Sequence, residues 1–416
     1  MVVGTQIQRI GATPSIENVD SYMKDLGLRA TVIGRSVQGR DLIVYDNHPP
    51  DRYERNPDHP SAQDIPTVLF LSMVHGNEPM GLISLLSAAH ILAEGSSRLR
   101  GGNIPSVRLI FFPLVNVDGY VRNMDCSRGW HRGNMRDAGC QHRPPSIGRC
   151  ANGDKQQDTE ESTVVVGVDL NRNFPMDWNG TYNSMSDASS ADKCASDYRG
   201  PRPFSEPETR AIRQLTVDHN IVAALSFHSL SSIKRGRAML IHPYTSERPL
   251  RRMPPDDLAR FRAWGRALDT NGLYKVGTAA ETIDYTAGGT TIDWLYGAHN
   301  VTAFVLEVVP VCDARWCPAT PRLYRGARDY GNVGRRFVEL VVHGRIVQDD
   351  TSILRSILFL LALFLAWMAW TWKMPLRSFV RRRIYGKFKD VYTDGGNKVD
   401  DNSDMELQSL RGKSPH

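Results

Sequence analysis

Apolar runs of strand length recur between Gln8 and Ile346, and several are followed by segments with helical spacing. Pro66–Val74 is continuous enough to be a strand covered on both faces, and a helix is expected from Pro79 to about Leu92. Val107–Val115, Val164–Val168, Ile221–Phe227 and Val301–Val309 read as further strands. Ser205-Glu-Pro-Glu208 has the form of a capping box opening a helix, and Tyr330–His343 has the pattern of a closing helix. Strands alternating with helices predict one α/β domain over residues 8–346, its sheet covered by helices on both faces. Met124–Glu161 is rich in Gly, Arg, Asn and Asp without periodicity, which predicts a long loop region of the kind that often serves a site.

Beyond that domain lies a different pattern. Ile353–Trp372 is apolar except for Arg355, Ser356 and Thr371, and as a helix it would span about 30 Å, the thickness of a bilayer core. Trp367, Trp370 and Trp372 gather at one end, where headgroups favour amphipathic rings. Lys373, Arg377 and Arg381–Arg383 follow, whereas Asp349 and Asp350 precede. The expectation is a single membrane span over 353–372, a cytoplasmic tail over 373–416, and a folded domain that is extracellular or lumenal. Met1–Asp20 contains no apolar stretch resembling a secretory signal, so export would rest on the span or on residues preceding this sequence.

Charge and cysteines refine the picture. The net charge of +6 comes mostly from residues at and after the span, leaving the rest nearly neutral and without the basic footprint of a nucleic-acid binder. All six cysteines precede the span, and Asn179-Gly-Thr and Asn300-Val-Thr are glycosylation acceptors if that side is lumenal.

Candidate chemistry starts where the first apolar strand ends. His75 and Glu78 offer a nitrogen and a carboxylate three residues apart, and His228 ends the strand that begins at Ile221. Together they supply the three protein ligands of a catalytic zinc site, with one position left open for water. Glu307 sits among Ala303-Phe-Val-Leu and Val308-Val, an ionisable group in an apolar strand, which usually has a partner or a task.

These residues belong to a larger set. His75-Gly-Asn-Glu78, Asn116-Val-Asp-Gly-Tyr120, Asp169-Leu-Asn-Arg-Asn-Phe174, Ser226-Phe-His-Ser229, Tyr285 with Gly288-Gly-Thr-Thr-Ile-Asp-Trp294, and Glu307 occur in order. In this the chain resembles the zinc metallocarboxypeptidases of the carboxypeptidase A type over roughly positions 13–345. The resemblance implies a mixed central sheet, Zn2+ bound by His75, Glu78 and His228, and Glu307 as general base and acid. It implies that Asn171 and Arg172 hold the C-terminal carboxylate of a peptide, that Tyr285 closes over it, and that an arginine stabilises the oxyanion. Arg132 is the choice for that arginine, with Arg128 and Arg136 as alternatives, because the local match is off by one residue. A disulfide between Cys150 and Cys194 follows from the same resemblance. Cys312 is close enough in sequence to pair with Cys317, leaving Cys126 with Cys140.

Specificity is read from two positions that decide the class in this family, Ile292 and Thr245. Neither is charged, so apolar or aromatic C-terminal residues are expected over Lys and Arg, with Lys234, Arg235 and Arg237 able to draw an acidic terminus instead. Competing readings are a zinc deacylase of N-acyl amino acids, a silent membrane-bound binding relative, and a membrane adaptor working through its tail.

Overall fold

The computed structural model describes residues 11, 13–47, 65–99, 107–124, 131–140, 147–149, 155–157, 167–180, 188–230, 236–248, 250, 252–269, 271–309, 323–344, 361, 363–365, 367 and 368. The chain separates into Met1–Arg345 and Ile346–His416. In the second unit the described residues are helical and exposed, among them Leu361, Phe364 and Trp367. Among the described residues no helix is long and apolar enough to cross a membrane. Most of the expected span over 353–372 lies outside them.

The first unit is built on an eight-stranded mixed sheet. Its strands are β1 (Arg29–Arg35), β2 (Asp41–Asp46), β3 (Thr67–Ser72), β4 (Arg108–Phe112), β7 (Ile221–Ser229), β8 (Met239–Ile241), β9 (Lys275–Gly277) and β10 (Thr302–Val308), in the order β1-β2-β4-β3-β7-β10-β8-β9. β4, β3, β7 and β10 run parallel and form its centre, while β2 and β8 pair antiparallel to them. Every residue of β3 and β4 is buried, which explains why these strands read as unbroken apolar runs: both faces are covered. A separate hairpin pairs β5 (Ile147–Arg149) with β6 (Lys155–Gln157).

The helices are α1 (Ile16–Asp25), α2 (Pro79–Leu99), α3 (Val117–Met124), α4 (Pro207–Asp218), α5 (Pro255–Leu268), α6 (Ala279–Thr282), α7 (Thr291–His299) and α8 (323–344). Phe70 on β3 stacks on Phe111 of β4 at 5.0 Å and meets Phe337 of α8 edge-on, with Phe304 of β10 against Phe261 of α5. This aromatic layer fixes the sheet under its helices, and each ring buries a large apolar area at its core.

Three expectations are corrected. α4 has no capping box: its N-cap is Glu206 with Pro207 following, and the Glu206 carboxylate makes no cap bond. It is drawn away by the Ser205 hydroxyl and by Asn134 and Arg136. The Val164–Val168 strand is not formed at Gly167 and Val168, and residues 164–166 lie outside the described residues. Cys140 is bonded to Cys194, their Cα atoms 5.0 Å apart, so neither Cys150–Cys194 nor Cys126–Cys140 can exist beside it. The loop over 131–140 returns toward the segment around Cys194, a contact that proximity along the chain does not reveal. Cys312 and Cys317 lie outside the described residues.

Candidate metal and substrate site

Parallel strands place their carboxyl ends on one edge, and the site is assembled there. β3 ends at Ser72 and delivers His75 and Glu78 through the turn before α2; β7 delivers His228; β10 delivers Glu307, which stands opposite His228 in register. Ser72 pairs with Phe227, one residue short of His228, so β3 ends next to the point where β7 delivers its ligand.

The three expected ligands converge. One ligand atom from each of His75, Glu78 and His228 lies within 4.8 Å of the others, and all three side chains are buried. His75 Nδ1 is 2.7 Å from Glu78 Oε1, His228 Nδ1 is 2.9 Å from Glu78 Oε2, and the two Nδ1 atoms are 3.1 Å apart. His75 Nε2 faces Asp169 Oδ1 at 3.1 Å. Donation from Nε2 to that carboxylate leaves Nδ1 with its lone pair toward Glu78 and His228, the arrangement in which imidazole binds a metal. Two nitrogens and a carboxylate aimed at one point are the donor set of a catalytic zinc site, so these residues fit the ion.

Electrostatics follow from this crowding. Burial opposes ionisation of Glu78, yet His75 and His228 hold it well below the usual carboxylate range. Burial and Arg132 pull His75 down, but Glu78 and Asp169 outweigh them and raise it; burial lowers His228 against the pull of Glu78. Burial, and then the charge of Glu78, push Glu307 up to about 8, with His75, Arg132 and Arg172 opposing.

Arg132 reaches the same centre: its Nε donates to Asp169 Oδ2 at 2.9 Å and its Nη1 to Glu78 Oε1 at 3.3 Å. Arg136 points elsewhere, onto Glu206, and Arg128 lies outside the described residues. Asn171 and Arg172 form a single 3-10 turn capped by Asp169, whose Oδ1 accepts from the Asn171 N–H at 3.0 Å. Arg172 is buried, its Nη1 donates to the Asn171 carbonyl at 2.7 Å, and its Nε has no hydrogen-bond partner among the described residues. Asn171 Oδ1 accepts from both the N–H and the hydroxyl of Thr291, each at 3.0 Å, tying this turn to α7. Tyr285 is half-buried and close enough to Arg132 to act on it electrostatically.

Ile292 lies buried on α7. Thr245 is buried too, its N–H and hydroxyl committed to the carboxylate of Asp293, which burial pushes up to about 7. Arg237 is engaged by the carbonyls of Gly272, Leu273 and Tyr274; Lys234 and Arg235 lie outside the described residues.

The sequence reading assigned no role to Asp169, which here joins His75, Arg132 and Asn171, nor to Asn116, whose amide holds the Arg132 carbonyl at 3.2 Å. Both stand inside the quoted motifs, but nothing in a sequence tells a ligand from the carboxylate behind it.

A family model described as zinc carboxypeptidase matches residues 21–319. The chain belongs to the zinc carboxypeptidase family. Among similar members, human mast cell carboxypeptidase A is 29% identical over 226 residues, covering 51% of this chain and 44% of that protein. Carboxypeptidase A1 from Mus musculus is 34% identical over 203 residues, covering 48% and 40%. The chain thus spans less than half the length of these curated relatives. The fold is similar to that of carboxypeptidase A from Helicoverpa armigera, with a TM-score of 0.55 at 23% identity, covering 78% of this chain and 72% of that one. Bovine thrombin-activatable fibrinolysis inhibitor, solved with a tick carboxypeptidase inhibitor, matches at a TM-score of 0.55 and 20% identity over 80% of this chain and 97% of that one.

Proposed function

We propose that this protein is a zinc-dependent carboxypeptidase that releases single residues from the C-termini of peptides or proteins. The observation that carries the reading is the buried Arg172, whose charge acts on Asp169 and Glu307 and whose Nε has no partner among the described residues, together with the His75–Glu78–His228 trio. A buried guanidinium with an N–H still to be satisfied is suited to a ligand carboxylate, which it binds bidentately. A deacylase of N-acyl amino acids has no need of the full set of Asn171, Arg172 and Tyr285, and a silent relative would lack a ligand or the base.

In this reading Arg172 and Asn171 hold the terminal carboxylate and Tyr285 closes over it. His75, Glu78 and His228 would hold the zinc ion, which when bound would supply a water of lowered pKa and polarise the scissile carbonyl. Glu307 takes the proton of the attacking water and returns it to the leaving amine, without a covalent acyl intermediate. Arg132 stabilises the negative charge that develops on the carbonyl oxygen. The uncharged Ile292 and Thr245 support a preference for apolar or aromatic terminal residues. We further propose that residues 353–372 anchor the protein in a membrane, with the catalytic domain lumenal or extracellular and 373–416 cytoplasmic.

The test uses N-blocked dipeptides that differ in the last residue, each as free acid and as C-terminal amide. Release is expected from the free acids, faster for Phe or Leu than for Lys or Arg. Equal release from the amides would overturn the exopeptidase reading; faster release of Lys or Arg would overturn only the specificity.

A further inference from the structure

Arg132 lies on a segment, residues 131–140, that has no helix or strand of its own. A guanidinium that must meet charge only as it develops needs a fixed backbone beneath it. Toward the metal ligands, Gly76 N–H and Asn116 Nδ2 donate to the Arg132 carbonyl at 3.0 and 3.2 Å, and Asn116 also reaches the Gly133 carbonyl at 2.8 Å.

The other anchor is Asn134, which is fully buried. Its N–H donates to the Val168 carbonyl and its Oδ1 accepts from the Val168 N–H, both at 3.0 Å. Its own carbonyl accepts from His131 Nε2 at 2.7 Å. The approach to the Val168 segment is so close that a Cβ on Gly167 would lie 1.8 Å from the Asn134 carbonyl oxygen. Asn134 Nδ2 then donates to two carboxylates at once, Glu206 Oε2 at 2.7 Å and Glu208 Oε2 at 3.1 Å, neither of which is exposed. Arg136 Nε binds both oxygens of Glu206, and Val37 N–H donates to Glu208. Burying two carboxylates around one neutral amide is costly, and it locks that amide in place. Val168 itself precedes Asp169, which receives the Arg132 Nε, so one short segment holds both the backbone and the head group of Arg132.

We propose that Asn134, fixed between Val168 and the buried Glu206–Glu208 pair, is the positioning residue for Arg132. The proposal rests on the reading of Arg132 as the group that stabilises the oxyanion. Asn134→Ala removes the bonds to both carboxylates and to the Val168 N–H, freeing the segment that carries Arg132. A misplacement of about 1 Å costs on the order of 100-fold in rate, and the loss should fall on kcat with KM little changed.

The test is a double-mutant cycle of Asn134→Ala and Arg132→Ala on the zinc-loaded full chain, read as kcat and KM. The expected result is strong coupling: Asn134→Ala lowers kcat in the parent and has almost no further effect once Arg132 is gone. An equal fold-loss in both backgrounds would overturn the proposal while leaving the role of Arg132 intact. Unchanged kcat on Arg132→Ala would overturn the oxyanion reading and the proposal with it. Should Asn134→Ala fail to fold, Glu206→Gln enters the same cycle with the same outcomes.

Discussion

Gly289→Ala tests whether the turn that carries Arg172 is set by the loop after Tyr285. Gly289 has φ +71°, and a Cβ built on it would stand 2.2 Å from the Arg172 carbonyl oxygen and 2.7 Å from its carbonyl carbon. Ordinary C···O contacts fall at about 3.3 Å, so one backbone must retreat by about 1 Å. The retreat is resisted: Gly289 N–H bonds to the Met176 carbonyl at 2.8 Å, and its own carbonyl accepts from Phe174 N–H at 3.0 Å. A left-handed conformation costs alanine roughly 1–2 kcal/mol and overpacking about 1–3 more, within the 5–15 kcal/mol of a typical domain, so the variant folds. What suffers is the placement of Arg172 and Asn171. Losing a charge-assisted bond to the terminal carboxylate is worth about 1.5–3 kcal/mol, or roughly 10- to 150-fold in kcat/KM. The assay is steady-state release from a blocked dipeptide, with the urea midpoint measured in parallel. The expected result is a raised KM with stability lowered by about 2–5 kcal/mol. Unchanged kcat/KM, or a loss wholly in kcat, would refute the link between Gly289 and terminus recognition.

Glu307→Gln should retain zinc and lose several orders of magnitude in kcat, because an amide cannot take the water proton; more than about a tenth of parental turnover would place the base elsewhere. Asp169→Asn should weaken zinc binding about 10- to 100-fold by removing the acceptor behind His75, as read by competition with a chelating dye. Glu208 is pushed up to about 7, chiefly by burial, so it binds its proton more readily folded than unfolded. Its contribution is fully present below pH about 4.5 and is lost as pH rises through about 7, on the order of 3 kcal/mol in all. Glu208→Gln should flatten the fall in stability across that window, whereas a decline as steep as the parent's would show that another group titrates there.

The strands that build the site were legible because they are covered on both faces, which leaves β3, β4, β7 and β10 as apolar runs. His75, His228 and Glu307 were legible for a related reason, since polar chemistry stands out where such runs end or are interrupted. β1 escaped notice because none of its residues is fully buried and it carries Arg29, Thr31 and Arg35. β8 and β9, at three residues each, are too short to show a period. The capping motif misled because its two members are engaged elsewhere: the Ser205 hydroxyl donates to Glu206, and the Glu208 carboxylate accepts from Asn134 and Val37. The bridge between Cys140 and Cys194 depends on where two loops meet, which residue spacing does not encode.

The central claim is that His75, Glu78 and His228 hold one zinc ion and that hydrolysis at a peptide C-terminus depends on it. The direct measurement is turnover of a blocked dipeptide against zinc content, as metal-depleted protein is reloaded in steps and bound zinc is counted by elemental analysis. The account predicts no release without metal and a linear rise that ends at about one zinc per chain, with neither binding nor release in His228→Ala. Turnover persisting in metal-free protein, or surviving His228→Ala, would contradict it.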